Sequence, residues 1–117
     1  MRAIIQGVEG GKLSAYKGAA LALLVQLLND DGTVKVVTGD TVAALIYDTK
    51  DRRNTPTDTQ AAVITDGAAG FVTVTYTALD MVFGPSINNV PYYIFIKHTA
   101  AGGAETVALV PTQLIIK

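Results

Sequence analysis

The chain has no cysteine and no tryptophan, and its only histidine is His98. Without cysteine there is no disulfide staple, no thiolate nucleophile and no zinc–thiolate site. One histidine cannot supply a zinc ligand set. Ser14 and Ser86 are the only serines, and neither stands in the strand-to-helix elbow G-x-S-x-G. No nucleophile, base and orienting group can be assembled from this inventory, so a non-enzymatic protein is expected. Charge is scarce too, at 16% of residues with a net charge of -1, against about 25% charged in an average soluble protein. A near-neutral balance argues against a nucleic-acid partner, which calls for a basic excess.

Long apolar runs are also missing. The longest, 19–28, is broken by Gln26 and falls well short of the ~20 residues that span a bilayer as a helix. Met1-Arg2-Ala3-Ile4-Ile5 runs directly into Gly7, Glu9, Gly10 and Gly11, so the apolar centre of a signal peptide is not there. The expectation is a soluble chain made in the cytosol, with no membrane partner.

Several fragments of chemical motifs fail on their spacing. Gly10-Gly11-Lys12 lacks the other two marks of a phosphate-binding loop, with Gln6 and Leu13 at those positions. Asn29-Asp30-Asp31-Gly32 lacks the calcium-loop pattern and reads as a hairpin turn. Asp48, Asp51 and Asp58 are offset locally by Lys50, Arg52 and Arg53. No metal and no cofactor is therefore expected. Lys50-Asp51-Arg52-Arg53 reads as an exposed loop or as a rim contact to an acidic partner. His98, near a strand end, reads as a surface or turn residue.

What is present is apolar and β-forming. Hydrophobic residues make up 50% of the chain, and the mean hydropathy is +0.36. Val and Thr are abundant, and turn residues recur at short intervals. Phe71–Thr77 is the cleanest strand signal, with Val72, Val74 and Tyr76 on one face and threonines on the other. Leu21–Leu28 fits either a helix or a strand, and strand is favoured because no N-cap precedes it and a turn follows. Further strands are expected over 41–48, 61–65, 92–99, 105–110 and 113–117, the last two divided by Pro111. Thr77-Ala78-Leu79-Asp80 fits a capping box before one helical turn. About seven to nine short strands at this spacing predict an all-β, immunoglobulin-like antiparallel sandwich. Residues 1–16 are expected to form a short N-terminal arm, and residues 17–117 the sandwich.

Leu23-Leu24-Val25, Ile94-Phe95-Ile96 and Leu114-Ile115-Ile116 are apolar on both faces. A sheet with one wet face should alternate with polar residues. Either these are central strands under loops, or another chain supplies a second buried surface. Tyr92-Tyr93 could stack on a sugar, but neighbours on a strand face opposite sides.

From Lys17 onward the chain resembles the immunoglobulin-like modules of tailed-phage structural proteins, in particular the N-terminal domain of baseplate upper proteins. The resemblance is carried by Lys17-Gly18, the turn Asp30-Asp31-Gly32, Tyr47-Asp48-Thr49-Lys50, the hairpin from Asp66-Gly67 to Phe71-Val72-Thr73-Val74, Thr77-Ala78-Leu79-Asp80, and Tyr92-Tyr93-Ile94-Phe95-Ile96. It departs where Ala and Leu replace polar residues in the first long strand, and where the chain stops after the sandwich. A free-standing sandwich looks more like a small capsid decoration or cement protein than a baseplate organiser.

The resemblance implies a virion protein assembled in the host cytoplasm, bound to the major capsid protein or other virion proteins. A homo-oligomer is expected, with a trimer on a local three-fold axis as one form. A tail or baseplate adaptor is the alternative, and a carbohydrate-binding surface module a more remote one. The expected contact residues are Arg2, Ile4, Ile5 and Leu13 on the arm, which would order against a neighbour. Arg52, Arg53, Phe95 and Ile115 are expected on a sandwich face or rim.

Overall fold

A computed structural model describes residues 1–8, 11–16, 18–48, 56, 58–77 and 91–117. Among these the chain forms nine strands and one short 3₁₀ turn. In order they are β1 (Arg2–Ile5), β2 (Lys12–Ala15), β3 (Leu21–Leu28), β4 (Thr41–Tyr47), β5 (Asp58–Ala61), β6 (Val63–Asp66), the 3₁₀ turn Gly67–Ala69, β7 (Phe71–Tyr76), β8 (Tyr92–Thr99) and β9 (Glu105–Ile116). They make two sheets, one of four strands in the order β1-β3-β7-β6 and one of five in the order β2-β9-β8-β4-β5. This order is that of an immunoglobulin-like sandwich whose first strand is split between the sheets. All neighbours are antiparallel except β2 and β9, which run parallel.

The core follows from the two-residue period of a strand. Leu23, Val25 and Leu27 of β3 and Val72, Val74 and Tyr76 of β7 point inward from one sheet. Val42, Ala44 and Ile46 of β4, Ile94 and Ile96 of β8, and Val110, Leu114 and Ile116 of β9 meet them from the other. Burying a Val, Leu or Ile side chain stabilises the fold by about 1.5–3 kcal/mol. The accessible surface of the chain is 6124 Å², against about 6,100 Å² for a folded monomer of this mass. The chain is therefore as compact as a typical monomer of its size.

Leu21–Leu28 is a strand, as the turn after it requires. Asn29 N–H donates to the Thr33 carbonyl at 2.7 Å, and Gly32, at φ 89°, donates to the Asn29 carbonyl at 2.9 Å. Beyond the hairpin turn expected at Asn29-Asp30-Asp31-Gly32, the chain returns with only a single bridge, Leu28 to Val34. Residues 61–65, expected as one strand, are divided at Ala62. β5 pairs with β4 in one sheet, and β6 pairs with β7 in the other. Pro111 lies inside one long β9 rather than between two strands. It falls where the register against β8 shifts, and β2 joins β9 only from Gln113 onward. The helical turn expected after Thr77 lies outside the described residues.

The expected arm is part of the sandwich. Arg2–Ile5 pairs with Val25–Leu28, and Lys12–Ala15 pairs with Gln113–Ile116. Ala3 and Ile5 are buried in the core. The reason is the alternation of small and branched apolar residues, Ala3 and Ile5, on the inward side of β1.

Gly70 closes the 3₁₀ turn at φ 75°. An added Cβ there would stand 2.6 Å from the Leu27 carbonyl oxygen and 2.8 Å from that of Lys35. Gly70→Ala is therefore expected to lose about 2–3 kcal/mol in denaturant unfolding, from the left-handed backbone and the steric overlap together. Removing residues 1–13 deletes β1 and half of β2. The truncated chain is expected to lose at least about 3 kcal/mol, read as a lowered thermal midpoint or as failure to fold.

Candidate interaction surface

Each sheet has an outer face, and the two differ. On the five-stranded sheet, Leu45 and Tyr47 of β4 and Phe95 of β8 form a second buried cluster. Tyr93, Val107 and Leu109 pack beside them. Tyr47 and Phe95 meet edge to face, with ring centroids 5.4 Å apart and planes at 84°. That geometry sets the positive ring edge against the negative face. Phe95, expected at a contact with another chain, is only 6% exposed. Ile115, next to β2, is 4% exposed. Both side chains are buried within the chain itself and offer a partner little surface.

The four-stranded sheet is different. Strand alternation places Ile4 of β1, Ala22, Leu24, Gln26 and Leu28 of β3, Phe71, Thr73 and Thr75 of β7, and Val63 and Thr65 of β6 on its outer face. Leu24, Thr73 and Val63 are in register across three neighbouring strands. Leu24 is 42% exposed and Val63 66%. Val34 and Val36, both exposed, follow in the segment that bridges back to Leu28. On the four strands themselves charges stand only at the edges, Arg2 on β1 and Asp66 on β6, and the half-buried Lys35 lies between Val34 and Val36 in the adjoining segment. Leu24 and Val63 are absent from the contact set expected from sequence. Their signal was the replacement of polar residues by Ala and Leu in β3, together with the apolar pair Val63-Ile64.

The other expected contact residues are scattered. Arg2 is exposed and Ile4 half-buried on β1, Ile5 is in the core, and Leu13 is half-buried on β2. Arg52 and Arg53 lie outside the described residues. A groove of about 360 Å³ runs between β1 and β9 and is lined by Met1, Arg2, Ile4, Leu109 and Pro111 among others. Among the described residues, Arg2 is the charged side chain that lines it. Among the described residues no group of three or more His, Asp or Glu is placed to hold a metal.

His98 is not a surface residue. It points inward near the end of β8, 4% exposed. Its Nε2 lies 2.7 Å from Asp40 Oδ2, in the segment just before β4. A carboxylate only accepts, so Nε2 carries the proton and donates. Asp40 Oδ1 accepts the Ala101 N–H at 3.1 Å, in the turn between β8 and β9. Asp40 therefore ties together three segments at one end of the sandwich. The His98 hydrogen bond, with help from the Ala101 N–H, holds the Asp40 carboxyl below its usual range. The turn after β3 has a similar local anchor, since Asp31 Oδ1 accepts the Thr33 hydroxyl at 2.6 Å and the Thr33 N–H at 3.0 Å.

The chain matches no protein-family model and no curated protein sequence.

The Asp40 pairing has a definite pH signature. Its folded carboxyl titrates lower than in the unfolded chain, so the pairing stabilises the fold above about pH 4 and is lost as pH falls through the folded value. Thermal unfolding of the wild type is expected to worsen steeply over that acid range. Asp40→Asn should be less stable at about pH 7 and should lose less on acidification. Parallel curves for the two proteins would exclude the pairing as a source of stability.

Proposed function

We propose that this chain is a non-enzymatic structural protein of a tailed-phage particle, a decoration or cement protein that stabilises the head through protein–protein contacts. One observation carries the reading. The four-stranded sheet turns an almost uncharged face to solvent, with Leu24 and Val63 side by side across Thr73. Such a face is adhesive, because covering it removes apolar surface from water without stranding a charge. The resemblance over residues 17–117 to immunoglobulin-like phage modules supplies the setting. The partners are the major capsid protein or other virion proteins, together with further copies of this chain. Repetition over a shell lets a small contact hold firmly, because each engaged copy raises the effective concentration of the next contact.

An antibody to this chain and gold labelling of particles from the source lysate test the reading. Label spread over heads is the expected result. Label confined to the tail end would replace decoration with a tail or baseplate adaptor. Particles without label would remove the virion reading altogether.

A further inference from the structure

Five large apolar side chains are exposed among the described residues, and four of them, Leu24, Val34, Val36 and Val63, stand on or beside the outer face of the four-stranded sheet. We propose that this face docks on the same face of a second copy, sheet on sheet, about a two-fold axis that runs along the strands between β3 and β7. The inference rests on the adhesive character of the face that the virion reading also uses, but not on the identity of any particle.

The chemistry of the face selects its occupant. Between its edges it carries no charged residue. A partner with charges in its contact surface would bury them against Leu24 and Val63 without a counter-charge. A second copy brings none.

Shape agrees. The stated axis lays β3 of one copy over β7 of the other. Leu24 then meets Thr73 of the second copy, and Phe71 meets Gln26, so large side chains face smaller or more flexible ones in both halves of the contact. The same axis lays each β1 edge over the β6 edge of the second copy, which carries Arg2 toward Asp66, two exposed groups of opposite charge. An axis across the strands would instead lay β1 on β1 and pair neither. Rim charges of this kind fix orientation more than they add affinity.

Size sets the strength. The four strands hold 4, 4, 6 and 8 residues, and at about 3.4 Å of rise and about 4.8 Å of spacing they offer about 350 Å² per copy. The pair then buries about 700 Å², which makes it a weak, transient contact rather than a standard-size interface. The contact is isologous and closes at two copies, which separates it from the three-fold arrangement expected from sequence.

Sedimentation equilibrium of the full chain, from about 10 μM to about 1 mM, tests the proposal. A reversible species of twice 12.2 kDa is expected, growing in across this concentration range as a weak, transient contact does. Leu24→Asp and Val63→Asp change exposed positions, so the circular dichroism of the sandwich should persist. Leu24→Asp places a carboxylate in the dry centre of the contact and should weaken the dimer by about 30-fold or more, whereas Val63→Asp, on the edge strand β6, should weaken it by a smaller factor of about 3-fold or more. Tyr16→Asp alters the fifth exposed apolar side chain, just beyond β2 in the other sheet, and should leave the dimer intact.

A monomer at every concentration overturns the proposal. So does a dimer that survives both face variants while they stay folded, or one lost equally with Tyr16→Asp. Gold label on particles without a dimer would sink self-docking alone. A dimer without label would sink the virion reading alone.

Discussion

Everything in this molecule depends on the inward-facing row of each strand meeting the row from the other sheet. Leu27 and Val74 from one sheet and Ile46 and Ile96 from the other are essentially inaccessible to water. Because the strand period is two, a slip of one residue in β3 would turn Leu23, Val25 and Leu27 outward and bring Ala22, Leu24 and Gln26 in. Gln26 resists that slip. Its side-chain amide donates to the Ala69 carbonyl at 3.2 Å, a bond available only from the outer face beside the 3₁₀ turn. One polar residue thus fixes the register of a strand whose apolar residues occupy both faces.

The same logic explains which parts of the fold were legible in the sequence. β7 could be read residue by residue, since Val72, Val74 and Tyr76 alternate with threonines. β8 and β9 could be placed but not oriented, because Ile94-Phe95-Ile96 and Leu114-Ile115-Ile116 have no polar residue to mark a wet face. The split at Ala62 was invisible, because changing sheets costs no special residue when both sheets accept apolar side chains. The first sixteen residues misled for a related reason. Their glycines suggested a loose arm, whereas β1 pairs in one sheet and β2 in the other, with Gly7 and Gly11 at φ 82° and 69° just beyond Ile5 and just before Lys12. His98 misled in the opposite sense. A histidine two residues from a turn suggests solvent, and its acid partner Asp40 is 58 residues away in sequence. No local pattern announces such a pair.

Two outer faces with similar composition have different fates. The aromatic cluster of Leu45, Tyr47 and Phe95 is buried, and its edge-to-face ring pair fixes side-chain geometry on that side. On the other side Leu24 and Val63 remain open. Sequence alone does not separate these cases, since both strands read as apolar on two sides. The candidate site was therefore legible as a property of the chain, an excess of apolar surface. It was not legible as a location, because Phe95 and Ile115 look as sticky as Leu24 and Val63 until burial distinguishes them.

That difference bears on how such a chain could associate. The buried cluster is spent on folding, and breaking it open to bind would forfeit packing the domain depends on. The open face can be covered without rearranging anything, so binding through it needs no conformational step and little side-chain ordering, as Val63 and Thr73 are stiff β-branched residues. A flat face of about 350 Å² gives a contact that forms and dissociates readily. Weak individual contacts suit ordered assembly, because misplaced copies can leave before neighbours lock them in, and stability then accrues from the number of contacts made together. A larger apolar face would hold one pair more tightly but would also trap wrong pairings. The threonines at positions 65, 73 and 75 on this face keep it from becoming that kind of surface.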